Sequence, residues 1–210
     1  MKFYKYKDKN VFICSCYQHN IDISVVEYQK KVFDFFDIPI NQYKTELRHP
    51  MWMESIINST LSDIILFFDV DCIPLTEDAV DFVLEKTNER SVCGIEQQCN
   101  CNSSIDHVYA GPACLSIHRK TIEKLAPVKF NETHRGDVGE EFTYKCEETN
   151  ITLNFLRLTN CIEPIWNINF NRKFGPGSTY ENKIYHQFQI RNINQQQKFI
   201  SKCKEVLNER

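Results

Sequence analysis

Ile64-Ile65-Leu66-Phe67-Phe68-Asp69-Val70-Asp71 is the stretch on which the fold turns. Five apolar residues in a row, closed by acids, suit a strand buried on both faces, as in a parallel sheet. In extended chain, side chains two apart point the same way, roughly 7 Å along the strand. Asp69 and Asp71 are therefore expected to project together from the carboxyl edge of the sheet, where open α/β folds hold their ligands. Paired carboxylates at such an edge suit a hard divalent cation, and such a cation suits a diphosphate. A D-x-D triplet alone is weak in a chain with eleven Asp. Its place after a buried strand gives it weight.

The neighbouring segments extend this reading. Val11 to Cys16 reads as a first strand, and Val25, Tyr28, Val32 and Phe36 share one helical stripe within 22–37. A short extended piece covers 38–45, and Pro50 opens a helix to about residue 60. Thr76 is expected to cap a helix carrying Val80, Val83 and Leu84. Strand, helix, strand, helix, strand is the pattern of a parallel, doubly wound half-domain. The second half is more mixed. It holds a strand at 91–96, a polar loop at 97–106, and an extended run from Val108 to Ile117 bent at Ala110-Gly111-Pro112. Helices at 119–125 and 138–149, a strand at 151–158 and a polar helical tail at 192–209 complete it.

Length and composition bound the class. At 210 residues the chain is expected to form a single domain with a real core. A net charge of −3 gives no electrostatic case for nucleic acid or an anionic membrane. No apolar stretch reaches membrane-spanning length and the start lacks a signal-peptide core, so a cytoplasmic protein is expected. Of the ten cysteines, Cys14, Cys16, Cys72, Cys93, Cys114 and Cys161 lie in or beside apolar segments and read as reduced thiols. Cys99 and Cys101 are close enough in sequence to clip a loop, but without a secretory signal they too are expected to be reduced. No CxxC pair points to structural zinc.

Several residues are candidates for chemistry, each with a plainer alternative. His186, in Ile184-Tyr185-His186-Gln187-Phe188, is either a core histidine or the imidazole that completes a site with Asp69 and Asp71. Two carboxylates and one imidazole suit Mn²⁺ or Mg²⁺, with the imidazole favouring Mn²⁺. Gly175-Pro176-Gly177-Ser178-Thr179 is either a turn or a lid whose amides meet phosphate oxygens, with Lys173 and Lys183 beside it. Asp137 and Glu140, followed by Glu141, have capping-box spacing, or offer a carboxylate to a sugar hydroxyl as base or binding group. His49, before Pro50, caps the helix or meets a donor at the sheet edge, and Trp52 packs or stacks. Ser15, Cys16 and Tyr17 end the first strand, where a nucleoside base docks in such folds.

In combination these segments resemble the GT-A class of metal-dependent glycosyltransferases, which use nucleotide sugars. The resemblance spans about residues 10–191. It is carried by the first strand, by His49 before a helix, and by Leu66-Phe67-Phe68-Asp69-Val70-Asp71-Cys72-Ile73-Pro74-Leu75. Tyr109-Ala110-Gly111-Pro112-Ala113, Asp137-Val138-Gly139-Glu140 and Phe174 through Arg191 add to it. The pattern is similar to small glycosyltransferase domains encoded by large DNA viruses such as the chlorella viruses; Pro50 departs from the Gly expected there. For a viral protein the compartment would be the host cytoplasm.

The resemblance implies a single GT-A-like α/β domain, with a Rossmann-like, mostly parallel central sheet flanked by helices and a mixed acceptor-side half. Residues 9–105 would form the nucleotide-binding half, 106–191 the acceptor and metal half, and 192–210 a C-terminal helix. It implies that Asp71 and His186 bind the metal, that Asp69 touches metal or donor ribose, and that Gly111 lines the sugar pocket. Asp137 or Glu140 would face acceptor or sugar. The implied donor is a UDP-sugar and the implied acceptor a glycan or glycoprotein hydroxyl. A non-catalytic sugar-nucleotide or glycan module is the alternative. A haloacid-dehalogenase-type phosphatase fits less well, because Ile73-Pro74 follows the acids and the strand falls third in the chain.

Overall fold

The computed structural model describes residues 1–99, 106–169 and 171–209. In chain order the elements are β1 (Tyr4–Tyr6), β2 (Lys9–Tyr17), α1 (Ile23–Phe35), β3 (Asn41–Lys44), α2 (His49–Ser59) and β4 (Ile64–Phe68). Then come β5 (Cys72–Pro74), α3 (Ala79–Glu85), β6 (Ser91–Gln98), β7 (Val108–His118), α4 (Arg119–Leu125) and α5 (Glu140–Glu148). The chain closes with β8 (Thr152–Leu156), β9 (Leu158–Cys161), β10 (Trp166–Ile168), β11 (Arg172–Phe174), β12 (Ser178–Tyr180), β13 (Ile184–His186) and α6 (Ile193–Val206).

The central sheet runs β1-β2-β4-β7-β6-β8, with β3 sharing an edge of β2. Its core is parallel at β3-β2-β4 and again at β6-β8, while β7 runs antiparallel between β4 and β6. All five residues of β4 are buried, and their alternation explains why an unbroken apolar run was needed. Ile64, Leu66 and Phe68 join the core under α1, α3 and α6, where Phe33 meets Phe68 edge-on at 5.0 Å. Ile65 and Phe67 join a second core under α2, α4 and α5, where Phe67 meets Trp52 edge-on at 5.7 Å.

A smaller four-stranded sheet, β5-β13-β12-β9, stands at the carboxyl end of β4 and is antiparallel throughout. Glu96 of β6 joins it to the central sheet. Its fully buried carboxylate accepts from the Leu158 amide at 2.7 Å, from Arg157 at 2.9 Å, and from Arg172.

Four expectations need correction. Thr76 does not cap α3: the N-cap is Asp78, and the Thr76 hydroxyl instead donates to the Asp78 carboxylate at 2.7 Å. The helix expected from 138 starts at Glu140, because Gly139 adopts a left-handed φ of 87° as its N-cap. The strand expected over 151–158 ends at Leu156, and a separate strand of the smaller sheet begins at Leu158. The loop expected at 97–106 is strand through Gln98, and Cys101, with any clip to Cys99, lies outside the described residues.

Candidate metal centre and cleft

Asp69 and Asp71 converge through a turn rather than along a strand. The Cys72 amide donates to the Asp69 carbonyl at 3.0 Å, closing a tight turn where β4 gives way to β5. Three of the turn's carbonyls are bonded from outside it. Buried Gln29 of α1 donates to Asp69 O at 2.7 Å and Cys72 O at 3.0 Å, and the Gln187 amide donates to Asp71 O at 3.0 Å. Antiparallel pairing sets His186 directly opposite Cys72, which brings the imidazole to the acids across 115 residues of sequence.

The three ligand atoms of Asp69, Asp71 and His186 lie within 4.8 Å of one another. His186 Nε2 stands 3.3 Å from Asp71 Oδ1 and 3.7 Å from Asp69 Oδ2. Among the described residues no lysine or arginine pairs with either carboxylate, although Asp71 is only 4% exposed. A nearly enclosed carboxylate beside a more open one, with no lysine or arginine paired to either, fits a divalent cation, whose charge would offset the burial. The residues present therefore suit the metal expected from the sequence.

These groups sit in a cleft of ≈ 340 Å³ at the carboxyl edge of the central sheet. One wall is Cys16, Tyr17, Gln18, Ile21, Leu47 and His49. The opposite wall is Gln97, Tyr109, Pro112, Ala113, Asp137 and Val138. A bulge builds part of that second wall: the β6–β7 register jumps from Gly94↔Leu115 to Ile95↔Gly111. Phe188, Gln189, Ile190 and Arg191 close the rim. Phe188 and Gln189 hold left-handed φ values of 57° and 51°, a strained pair of non-glycine residues at the cleft.

His49 is the first residue of α2, whose N-cap is Arg48, so it is not the cap. Its Nε2 faces Asp69 Oδ1 at 3.3 Å, and its ring stacks on buried Trp52. Asp137 faces the cleft, and burial, with Glu132 and Glu140 nearby, pushes its carboxyl up from the ordinary value. The Val138 amide donates to that carboxyl at 2.7 Å, and Tyr109 lines the cleft beside it.

Other candidates lie elsewhere. Glu140 is fully buried and turned away: one oxygen meets His107 Nδ1 at 2.9 Å and the other accepts the Asp137 amide at 2.9 Å. Ser15 is buried beneath the cleft wall rather than in it. Gly111 backs the wall without lining it; a Cβ there would lie 2.6 Å from the Gln97 amide oxygen. Gly175 and Gly177 form a packed turn, not a lid. The Gly175 amide donates to Ser178 Oγ at 3.1 Å and the Gly177 amide to Gln187 O at 3.2 Å, so neither is free for phosphate. Lys183 is held by Asp78 at 2.6 Å. Among the described residues that line the cleft, Arg191 carries a cationic side chain; it, Gln97 and Gln189 have no local sequence signal that marks them.

No protein-family model matches the chain, and no curated protein matches it in sequence. Solved structures do. The mannosyltransferase PcManGT from Pyrobaculum calidifontis, in complex with GDP-Man and Mn²⁺, superposes with a TM-score of 0.51 at 9% identity. The match covers 70% of this chain and 54% of that one, so the chain spans about half the length of that neighbour. A glycosyltransferase involved in the glycosylation of the major capsid of PBCV-1 matches with a TM-score of 0.39 at 10% identity, covering 70% of this chain and 80% of that one. The fold is GT-A-like: a mixed sheet with parallel core strands, flanked by helices on both faces.

Proposed function

We propose that this chain is a metal-dependent glycosyltransferase that moves a sugar from a nucleotide-sugar donor, a UDP-sugar, to a hydroxyl of a glycan or glycoprotein. The observation that carries this reading is the Asp69–Asp71–His186 cluster, with no lysine or arginine paired to its acids among the described residues, in a cleft at the carboxyl edge of the sheet. Asp71 and His186, both nearly enclosed, would hold a divalent cation, Mn²⁺ or Mg²⁺, with Asp69 at its more open side. When bound, that cation would supply Lewis-acid stabilisation to the departing nucleoside diphosphate.

The protein's own groups supply the rest. His49 and Trp52 fix the orientation of Asp69, as outer partners do for metal-binding carboxylates. Tyr17, Gln18 and Leu47 form the wall suited to the nucleoside, and Arg191 brings positive charge to the rim where diphosphate would lie. Gln97 and Tyr109 suit the hydroxyls of the donor sugar. Asp137 is the base for the acceptor hydroxyl; its raised carboxyl pKa moves it toward the range in which a base exchanges protons at working pH.

A panel of nucleotide sugars, each incubated with the protein and Mn²⁺ and assayed for slow donor hydrolysis, tests the reading and names the donor. Metal-dependent release of UDP from one UDP-sugar is the expected result. Turnover of simple phosphate esters, or indifference to every nucleotide sugar, would refute it.

A further inference from the structure

Behind the cleft carboxylate lies a second cluster of charge. His107, just before β7, is wedged against α5 with a carboxylate at each ring nitrogen: Nδ1 to Glu140 at 2.9 Å and Nε2 to Glu147 at 3.2 Å. A neutral imidazole has one N–H and one acceptor nitrogen, so it can satisfy only one of two carboxylates. Donating to both requires the imidazolium. The ring also lies flat on Tyr144, with centroids 4.0 Å apart and planes 10° apart, and Arg135 sits 4.4 Å from the Tyr144 ring centre.

The cluster reaches the cleft through Glu140. That carboxylate is fully buried, and its second oxygen accepts the backbone amide of Asp137 at 2.9 Å. Its side chain folds back over Gly136, where any Cβ would lie 2.7 Å from it. Asp137 then presents its own carboxyl to the cleft beside Tyr109. Glu140 thus has two partners, a charged ring on one side and the Asp137 main chain on the other.

We infer that His107 is a positioning residue: as an imidazolium clamped between Glu140 and Glu147, it keeps Glu140 folded back, and Glu140 holds Asp137 in the cleft. Loss of the ring's second proton breaks one of its two contacts and leaves a buried carboxylate with no cationic partner, which loosens the Asp137 turn. The charged and titratable groups facing the ring are Glu140, Tyr144 and Glu147 from α5. Arg135 lies beyond Tyr144 and is itself paired with Glu141 and Glu148; Asp106 is adjacent in the chain. Burial of the ring opposes the charge, yet the two glutamates outweigh it and raise the pKa of His107 above 6.5.

This rests on Asp137 acting at the acceptor side, so the test separates the clamp from the reaction. The midpoint of His107, read by NMR on the full chain, is expected above 6.5, with exchange protection of the Asp137 amide lost as pH rises through it. Both readouts stand even if no nucleotide sugar is turned over, in which case the transferase reading fails and the clamp is still decided. With turnover, His107→Gln is expected to lower kcat about tenfold, within the range that small misplacements cost. It should leave affinity for Mn²⁺ with UDP unchanged and erase the decline in kcat that the parent is expected to show as pH rises through the His107 midpoint. Glu147→Gln, a milder change at the outer carboxylate, should move the His107 midpoint and that decline to lower pH together. A midpoint at or below the ordinary value, an Asp137 amide indifferent to it, or an alkaline limb that neither variant moves would overturn the clamp.

Discussion

Replacing Glu96 by Gln removes the charge that ties the smaller sheet, and with it the strand of His186, to the central sheet. The carboxylate is fully buried and receives the Leu158 amide, Arg157 and Arg172. Gln keeps a carbonyl for one of these donors and offers an NH₂ that no arginine can use. Bonds to charged groups contribute about 1.5–3 kcal/mol each. The Arg157 and Arg172 side chains are 58% and 40% exposed, so water reclaims part of their loss and the pair must be discounted. The net cost comes to about 2–3 kcal/mol, which in a chain of this length lowers Tm by about 4–12 °C.

Thermal unfolding followed by circular dichroism at neutral pH reads this directly. The pH dependence is a second check. Burial pushes the Glu96 carboxyl up, but Arg172, the Leu158 amide and Arg157 outweigh it and hold it below 4.5. A carboxyl depressed in the folded state stabilises above its unfolded value and loses that stabilisation as pH falls through the folded one. The gap between parent and Glu96→Gln should therefore be full at pH 7 and close in acid. A Tm within about 2 °C of the parent, or a gap that persists at low pH, would refute the reasoning.

Gln29→Leu should remove the two bonds that Gln29 gives to the Asp69 and Cys72 carbonyls and loosen the Asp69–Cys72 turn, weakening Mn²⁺ binding about tenfold in calorimetry. Phe67→Ala should cost about 3–5 kcal/mol in denaturant unfolding, because its fully buried ring packs against Trp52 and Phe130. Asp137→Asn should do the reverse. A carboxyl whose pKa is raised on folding destabilises the folded state once ionised, so the variant should melt higher at pH 7 while losing transfer activity.

The parts of the fold written as long periodic runs were legible in the residues. The buried strand at 64–68, the helical stripes of α1 and α2 and the capped tail helix all appear near their expected places. The smaller sheet was not, because three-residue strands such as β5, β12 and β13 are too short to show an alternation. Asp69, Asp71 and His186 were readable as chemical partners, yet the turn that joins the two acids depends on Gln29 and Gln187, which no local pattern announces. Gly175 and Gly177 misled for a physical reason. Their freedom serves close packing against Glu163 and Ile162, and a phosphate loop of the same composition looks identical in sequence. Asp137 and Glu140 were a capping-box pair in part: Glu140 does reach back to the Asp137 amide, which is what removes it from the cleft.

The central claim is one cation held by Asp69, Asp71 and His186. Isothermal titration of Mn²⁺ into the protein with UDP present, on the parent and on Asp71→Ala, tests it most directly. One Mn²⁺ per chain in the parent and none in a folded Asp71→Ala is the predicted result; equal binding by both would contradict it.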